Sequence, residues 1–175
     1  MWKRLRRISR LRLLLLAMTT IGIALLTGYV VYDEASRLSV GGTAVGFVGA
    51  SRTKVPTMLT YHITVRVGSW RTSVETHLNS PLFWLRVDGL SVGQTFQGDT
   101  QSFKPYETVD YSLTFSESSS TTIGLIGDSQ PHSYEIVMSS IVSAGGYQEP
   151  RTKHNCTTGV PLILFLPRAH AEGCQ

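Results

Sequence analysis

An uncharged run of 20 residues, 13–32, directly follows a segment, 3–12, that holds six of the chain's 16 Lys and Arg. Leu, Ile, Val and Ala fill most of that run, so as a helix rising ~1.5 Å per residue it spans ~30 Å, the hydrocarbon thickness of a bilayer. A sandwich or bundle of this size has no place to bury such a rod on all its faces. The apolar run is therefore expected to cross a membrane, and the rest of the chain must fold beside it. Asp33 and Glu34 close the run, leaving it positive before and negative after. By the positive-inside rule the basic flank stays in the cytoplasm and the later residues lie outside. Trp2 at one edge and Tyr29 and Tyr32 at the other stand where amphipathic aromatics meet headgroups.

A cleaved signal peptide shares the basic-then-apolar order, but its apolar core is commonly shorter. Bulky or charged residues, Tyr29, Val30, Val31, Tyr32, Asp33 and Glu34, also occupy the exit where a small-x-small site would be needed. The reading is a retained signal-anchor. Within it Ala17, Thr20, Ala24 and Gly28 recur at three- and four-residue intervals, forming a small-residue stripe that allows another helix to approach closely. No ionisable side chain interrupts 13–32, so the span itself offers no relay for protons or ions. The expected division is a basic cytoplasmic stub at 1–12, a transmembrane helix at 13–32, a short stalk at 33–42, a β-sandwich at 43–167 and a tail at 168–175.

The formal charge of +4 belongs to the stub, since residues 33–175 carry 10 Lys and Arg against 12 Asp and Glu, a net −2. A nucleic-acid partner would require a basic face on the folded part, and Arg66, Arg71 and Arg86 are too scattered to form one. Membrane lipids are the expected contact of the stub.

After Met58 the hydrophobic period changes to two. Leu59, Tyr61, Ile63, Val65 and Val67 alternate with Thr60, His62, Thr64 and Arg66, and Val109, Tyr111, Leu113 and Phe115 alternate with Asp110, Ser112 and Thr114. Such alternation marks half-buried strands. Weaker strand signals occupy 43–48, 71–78, 83–88, 90–96, 121–126, 134–139 and 162–166. Asn79-Ser80-Pro81, Asp88-Gly89, Lys104-Pro105 and Gly145-Gly146 punctuate them as turns. The Ser- and Thr-rich 116–122 and the Gly-rich 145–150 read as exposed loops. The sum is an all-β, immunoglobulin-like sandwich of seven to nine strands behind one N-terminal helix.

Several motifs between 58 and 116 carry a family likeness. Ile63, Val65 and Val67 alternate in a strand, Asn79, Ser80 and Pro81 form a turn before Leu82 and Phe83, and a further strand ends at Val92 and Gly93. Phe103-Lys104-Pro105-Tyr106-Glu107 then leads into the strand from Val109 to Phe115. This stretch resembles the water-stress and hypersensitive-response domain of late-embryogenesis-abundant proteins, a β-sandwich with membrane-anchored relatives. Ser80 departs from that pattern by separating Asn79 from Pro81. The resemblance implies a non-enzymatic domain and brings no functional residues with it.

Tests for chemistry lead the same way. Cys156 and Cys174 are the chain's two cysteines, and outside the cytoplasm a disulfide between them is the favoured reading. In the chain-entropy model it would contribute about 3 kcal/mol. Together with His154 and His170 they could in principle ligate zinc, but one residue between His154 and Cys156 is tighter than the usual ligand gap. No His or Met follows Cys156 closely enough for a blue-copper site. Asn155, Cys156 and Thr157 make an Asn-x-Thr glycosylation acceptor. His62 and His77 sit in expected strands and could meet Asp88 or Asp110 across a sheet, yet no Gly-x-Ser-x-Gly or Ser-x-x-Lys motif frames a nucleophile. No cofactor, metal or small-molecule substrate is expected.

The apolar strand Leu162, Ile163, Leu164, Phe165 and Leu166 is either a central core strand or a docking strand with one face against a partner. The expected function is a non-catalytic accessory or assembly subunit of a larger membrane complex, contacting other membrane protein subunits through the helix and the sandwich. The alternative is an anchored cell-surface or envelope protein that binds through exposed loops.

Overall fold

The computed structural model describes residues 2–69 and 73–159, with side chains at 12–68 and 73–159. Helix α1, Trp2–Gly41, is one unbroken rod of 40 residues, about 60 Å long. Its segment Arg12–Gly41 is long and apolar enough to cross a membrane, with a mean hydropathy of 2.1 over its most apolar 18 residues. The large apolar side chains of 13–32 are all exposed by half or more. Thr19, Thr20 and Thr27 donate their hydroxyls to the carbonyls of Leu15, Leu16 and Ile23 at 2.8–3.0 Å. Their polar atoms are thus satisfied within the helix, as hydrocarbon surroundings require.

Among the described residues eight strands follow in two sheets, within the expected seven to nine, and every pairing is antiparallel. One sheet has the order β1-β2-β6, built from β1 (Thr43–Val55), β2 (Met58–Ser69) and β6 (Thr108–Glu117). The other has the order β4-β3-β7-β8, with the short β5 (Gln101–Phe103) also on β3. Its members are β3 (Thr76–Val87), β4 (Leu90–Phe96), β7 (His132–Ala144) and β8 (Tyr147–Gly159). The alternation in β2 turns Leu59, Tyr61, Ile63, Val65 and Val67 inward, each nearly inaccessible, against Phe83, Leu85, Tyr134, Ile136 and Met138 of the facing sheet. Asp88 and Gly89, at φ 49° and 79°, make the tight β3–β4 turn that the Asp-Gly pair demands.

Four expectations are corrected. Asn79-Ser80-Pro81 does not end a strand. It is a bulge inside β3, where the register to β7 shifts between Asn79 and Leu82. The inward residues change there from even numbers (Thr76, Leu78) to odd ones (Phe83, Leu85, Val87), so two strand signals belong to one strand. A bulge is also where Pro81 can be accommodated in a central strand.

Second, 121–126 is not a strand. Helix α2, Ser120–Ile126, covers it: the Ser119 hydroxyl caps the Thr122 amide, Gly127 follows the last turn, and Ile123 and Ile126 face the core at helical spacing. The end of β6 and the first turn of α2 take up the expected loop 116–122.

Third, only Gly145 and Gly146 of 145–150 form a turn, and from Tyr147 onward the chain is β8. β8 is rich in Glu, Lys, Arg and His and includes Pro150, a composition that hides an edge strand from hydrophobic pattern reading. Finally, 33–41 continues α1 as helix, and Ser36, Ser39 and Val40 are buried. A core of Val40 with the strands locks this segment in place.

Candidate functional site at the helix and sandwich junction

The apolar rod and the sandwich meet where α1 passes the tip of the β7–β8 hairpin. Ala144 and Tyr147 pair across a two-residue turn, and Gly145 adopts φ 56°, a conformation disfavoured for any residue with a Cβ. A Cβ at Gly145 would also collide with Ser36 Oγ. Glycine at 145 therefore serves both the turn and the close approach of the helix. Ser36 and Ser39 return their hydroxyls to the carbonyls of Tyr32 and Ala35, which lets small polar side chains sit buried at this contact.

Two further bonds fix the helix. Tyr147 donates its hydroxyl to Asp33 Oδ2 at 2.8 Å, and Lys153 donates Nζ to the Gly41 carbonyl at 3.1 Å. The bond to Asp33 holds the Tyr147 hydroxyl above its usual titration range, while desolvation, with the nearby Arg151 charge, lowers that of Lys153. The first bond is at the end of the apolar run and the second is near a C-terminal carbonyl of the helix, where a cation is favoured. A groove beside this junction is lined by Glu34, Arg37, Leu38, Glu149 and Arg151.

Of the residues singled out from sequence, Ala17, Thr20, Ala24 and Gly28 lie exposed on α1, and nothing within 4 Å would meet a Cβ at Gly28. Leu162, Ile163, Leu164, Phe165, Leu166 and Cys174 lie outside the described residues, and so does any pairing of Cys174 with Cys156. Cys156 itself is buried on β8. Asn155 is half-buried beside it and accepts the Phe47 amide at 3.4 Å, while Thr157 of the same acceptor motif is buried.

The expected meetings of His62 or His77 with an aspartate do not occur. His62 bonds Thr114 and His77 bonds Ser102, whereas Asp110 is held by Arg66 at 2.7 Å and 2.9 Å. The Arg66 guanidinium keeps the Asp110 carboxyl below the usual carboxylate range. Asp88 goes instead to His132, which pattern reading passed over because it stands alone after Pro131.

His132 is 4% exposed and lies between two carboxylates, Asp88 at 2.6 Å from Nδ1 and Asp128 at 2.9 Å from Nε2. Asp88 also accepts the Ser133 amide and Asp128 the Gln130 amide. The Gln130 amide, assisted by His132, lowers Asp128 below its ordinary range. Nearby, Arg52 and Tyr61 donate to the Ile126 carbonyl and Lys54 to that of Gly127, closing the C-terminal end of α2. This node knits the β3–β4 turn, α2 and β7 at the end of the sandwich opposite the helix. Both ring nitrogens of His132 are taken up by these two carboxylates, with no serine hydroxyl among the described residues bonded to it. Among the described residues no group of three or more His, Cys, Asp or Glu could hold a metal ion.

No family model and no curated protein matches the chain. Solved structures with some likeness include a crystal structure of a protein from Archaeoglobus fulgidus, 12% identical at a TM-score of 0.42, covering 69% of this chain and 100% of that one. A solution structure of a protein from Arabidopsis thaliana is 12% identical at a TM-score of 0.44, covering 67% of this chain and 83% of that one.

Proposed function

We propose that this protein is a non-catalytic, single-pass accessory or assembly subunit of a larger membrane complex. The observation that carries the reading is the continuity of α1, whose uncovered apolar segment runs without a break into a buried end packed on β7 and β8. A flexible tether would let the sandwich wander. A continuous helix with a docked end makes the orientation of the sandwich follow that of the span, which suits a part held in register beside other subunits. The exposed stripe of Ala17, Thr20, Ala24 and Gly28 supplies a surface for a neighbouring transmembrane helix.

The basic stub supports a cytoplasmic N-terminus and an extracytoplasmic sandwich. The likeness of 58–116 to the water-stress and hypersensitive-response domain belongs to the same reading, and two packed antiparallel sheets are compatible with it. Purification from native membranes in mild detergent tests the proposal. Stoichiometric co-purifying chains are expected, and their yield should drop when Ala24 and Gly28 are replaced together by Leu. A strictly monomeric protein, indifferent to those replacements, would refute it.

A further inference from the structure

The end of the sandwich that meets α1 carries a second feature, the turn between β5 and β6. Phe103 and Ala144 both pair with Thr76, one on each side of β3, so the 104–107 turn and the Gly145-Gly146 tip lie at the same end of their sheet, about 10 Å apart by strand spacing. Thr108 pairs with Gly68, and Gly68 with Ala44, at the same end of the other sheet. A Cβ at Gly68 would strike Thr108, so that glycine lets the turn press close. Tyr32 and Ser36 are the helix residues nearest Gly145, whereas Gly41 reaches Lys153 farther along β8. The apolar run therefore continues beyond this end of the sandwich, and the hairpin tip is level with its last residue.

The turn itself is a tight one, closed by the Glu107 amide on the Lys104 carbonyl at 3.0 Å, with Pro105 in its second position and Tyr106 in its third. Tyr106 has φ 64°, where a turn of this kind calls for glycine. The residue is 73% exposed, so among the described residues little packing against the sandwich offsets the strained backbone. Glu107 turns its carboxylate back onto the Lys104 amide at 2.8 Å, while the Lys104 side chain stays exposed. A strained backbone that holds an aromatic out at the end of a domain from which a membrane helix leaves points to use outside the domain.

We propose that the Lys104–Glu107 turn is a second membrane contact, with the Tyr106 ring seated in the headgroup layer and the Lys104 ammonium near lipid phosphate. Tyrosine suits that layer because its ring is apolar and its hydroxyl polar, and an exposed lysine gains from anionic lipid. The occupant is the bilayer that α1 crosses, since the same end of the sandwich is continuous with that contact. The inference rests on the single-pass placement of α1 and is independent of any protein partner.

Full-length protein in vesicles of phosphatidylcholine and phosphatidylglycerol, with and without lipid brominated high on the acyl chains, tests it. Three variants each add one tryptophan: Tyr106→Trp in the turn, Thr57→Trp at the opposite end and Leu25→Trp in the span. After subtraction of the unmodified protein's emission, Leu25→Trp should be strongly quenched and Tyr106→Trp at least twofold more quenched than Thr57→Trp. Equal quenching at 106 and 57, with Leu25→Trp quenched, overturns the membrane contact and leaves the span intact. An unquenched Leu25→Trp overturns the span and this inference with it. Tyr106→Gly separates the contact from folding: its melting midpoint should be unchanged or higher, and a lower midpoint would show that the ring is kept for folding, contrary to the proposal.

Discussion

Tyr106 and Asp128 show how far single side chains can be argued from local chemistry. Relief of a positive φ favours Tyr106→Gly by about 1 kcal/mol, less the extra chain entropy that glycine brings to the unfolded state. A small rise in stability in denaturant melts is the expected result. The carboxyls of Asp128 and Asp110 titrate below their ordinary range when folded, through the Gln130 amide and His132 in one case and Arg66 in the other. A depressed carboxyl contributes stability that is complete above its unfolded value and disappears as pH falls through its folded one. Thermal melts should therefore separate wild type from Asp128→Asn and Asp110→Asn at pH 6, and the curves should converge as pH falls below about 4, the ordinary carboxyl range. Because both groups are solvent-exposed, the separation should be small and should shrink further in salt for Asp110. The His132 node was hidden in the sequence because its three members are 40 and four residues apart, joined only by the β3–β7 pairing. The strand positions of His62 and His77 were legible, but their partners depended on register.

At the scale of elements, the docked end of α1 is the contact most open to test. Gly145→Ala places a Cβ against Ser36 in a backbone conformation unfavourable to alanine, and should destabilise the junction by about 1–3 kcal/mol. Deuterium exchange should then quicken in 33–41 and at the β7–β8 tip, while β2 and β3 stay protected. Little exchange difference would mean that the hairpin shifts freely and the junction is not a rigid coupling. Elements with strict alternation, β2 and β6, were readable because each turns one face to the core. β8 was not, since an edge strand with charged side chains draws its place from backbone pairing with β7 instead of from side-chain burial. The β-branched residues of α2 suggested a strand, but the Ser119 cap and the burial of Ile123 and Ile126 prevail in seven residues of helix.

For the whole molecule, helix continuity makes a prediction that composition cannot. Insertion of Gly-Ser-Gly-Ser between Tyr32 and Asp33 should leave the span in the membrane and the sandwich folded, because Asp33 keeps its bond to Tyr147 and Val40 keeps its place in the core. It should still weaken recovery of co-purifying subunits by tenfold or more, since span and sandwich would no longer be held in register; undiminished recovery would show that the two parts act separately. The sequence by itself determined that one helix crosses a bilayer-sized distance and that the remainder forms strands with a shared core. Those properties depend on hydrophobic content and period, which neighbours in the chain supply. Only the tertiary structure decided that the helix runs on through 33–41, that Gly145 cradles it, that Asp88 meets His132 and that Tyr106 stands at the same end as the span. Each depends on strand register and on approaches between segments far apart in the chain, to which local hydrophobic pattern is blind.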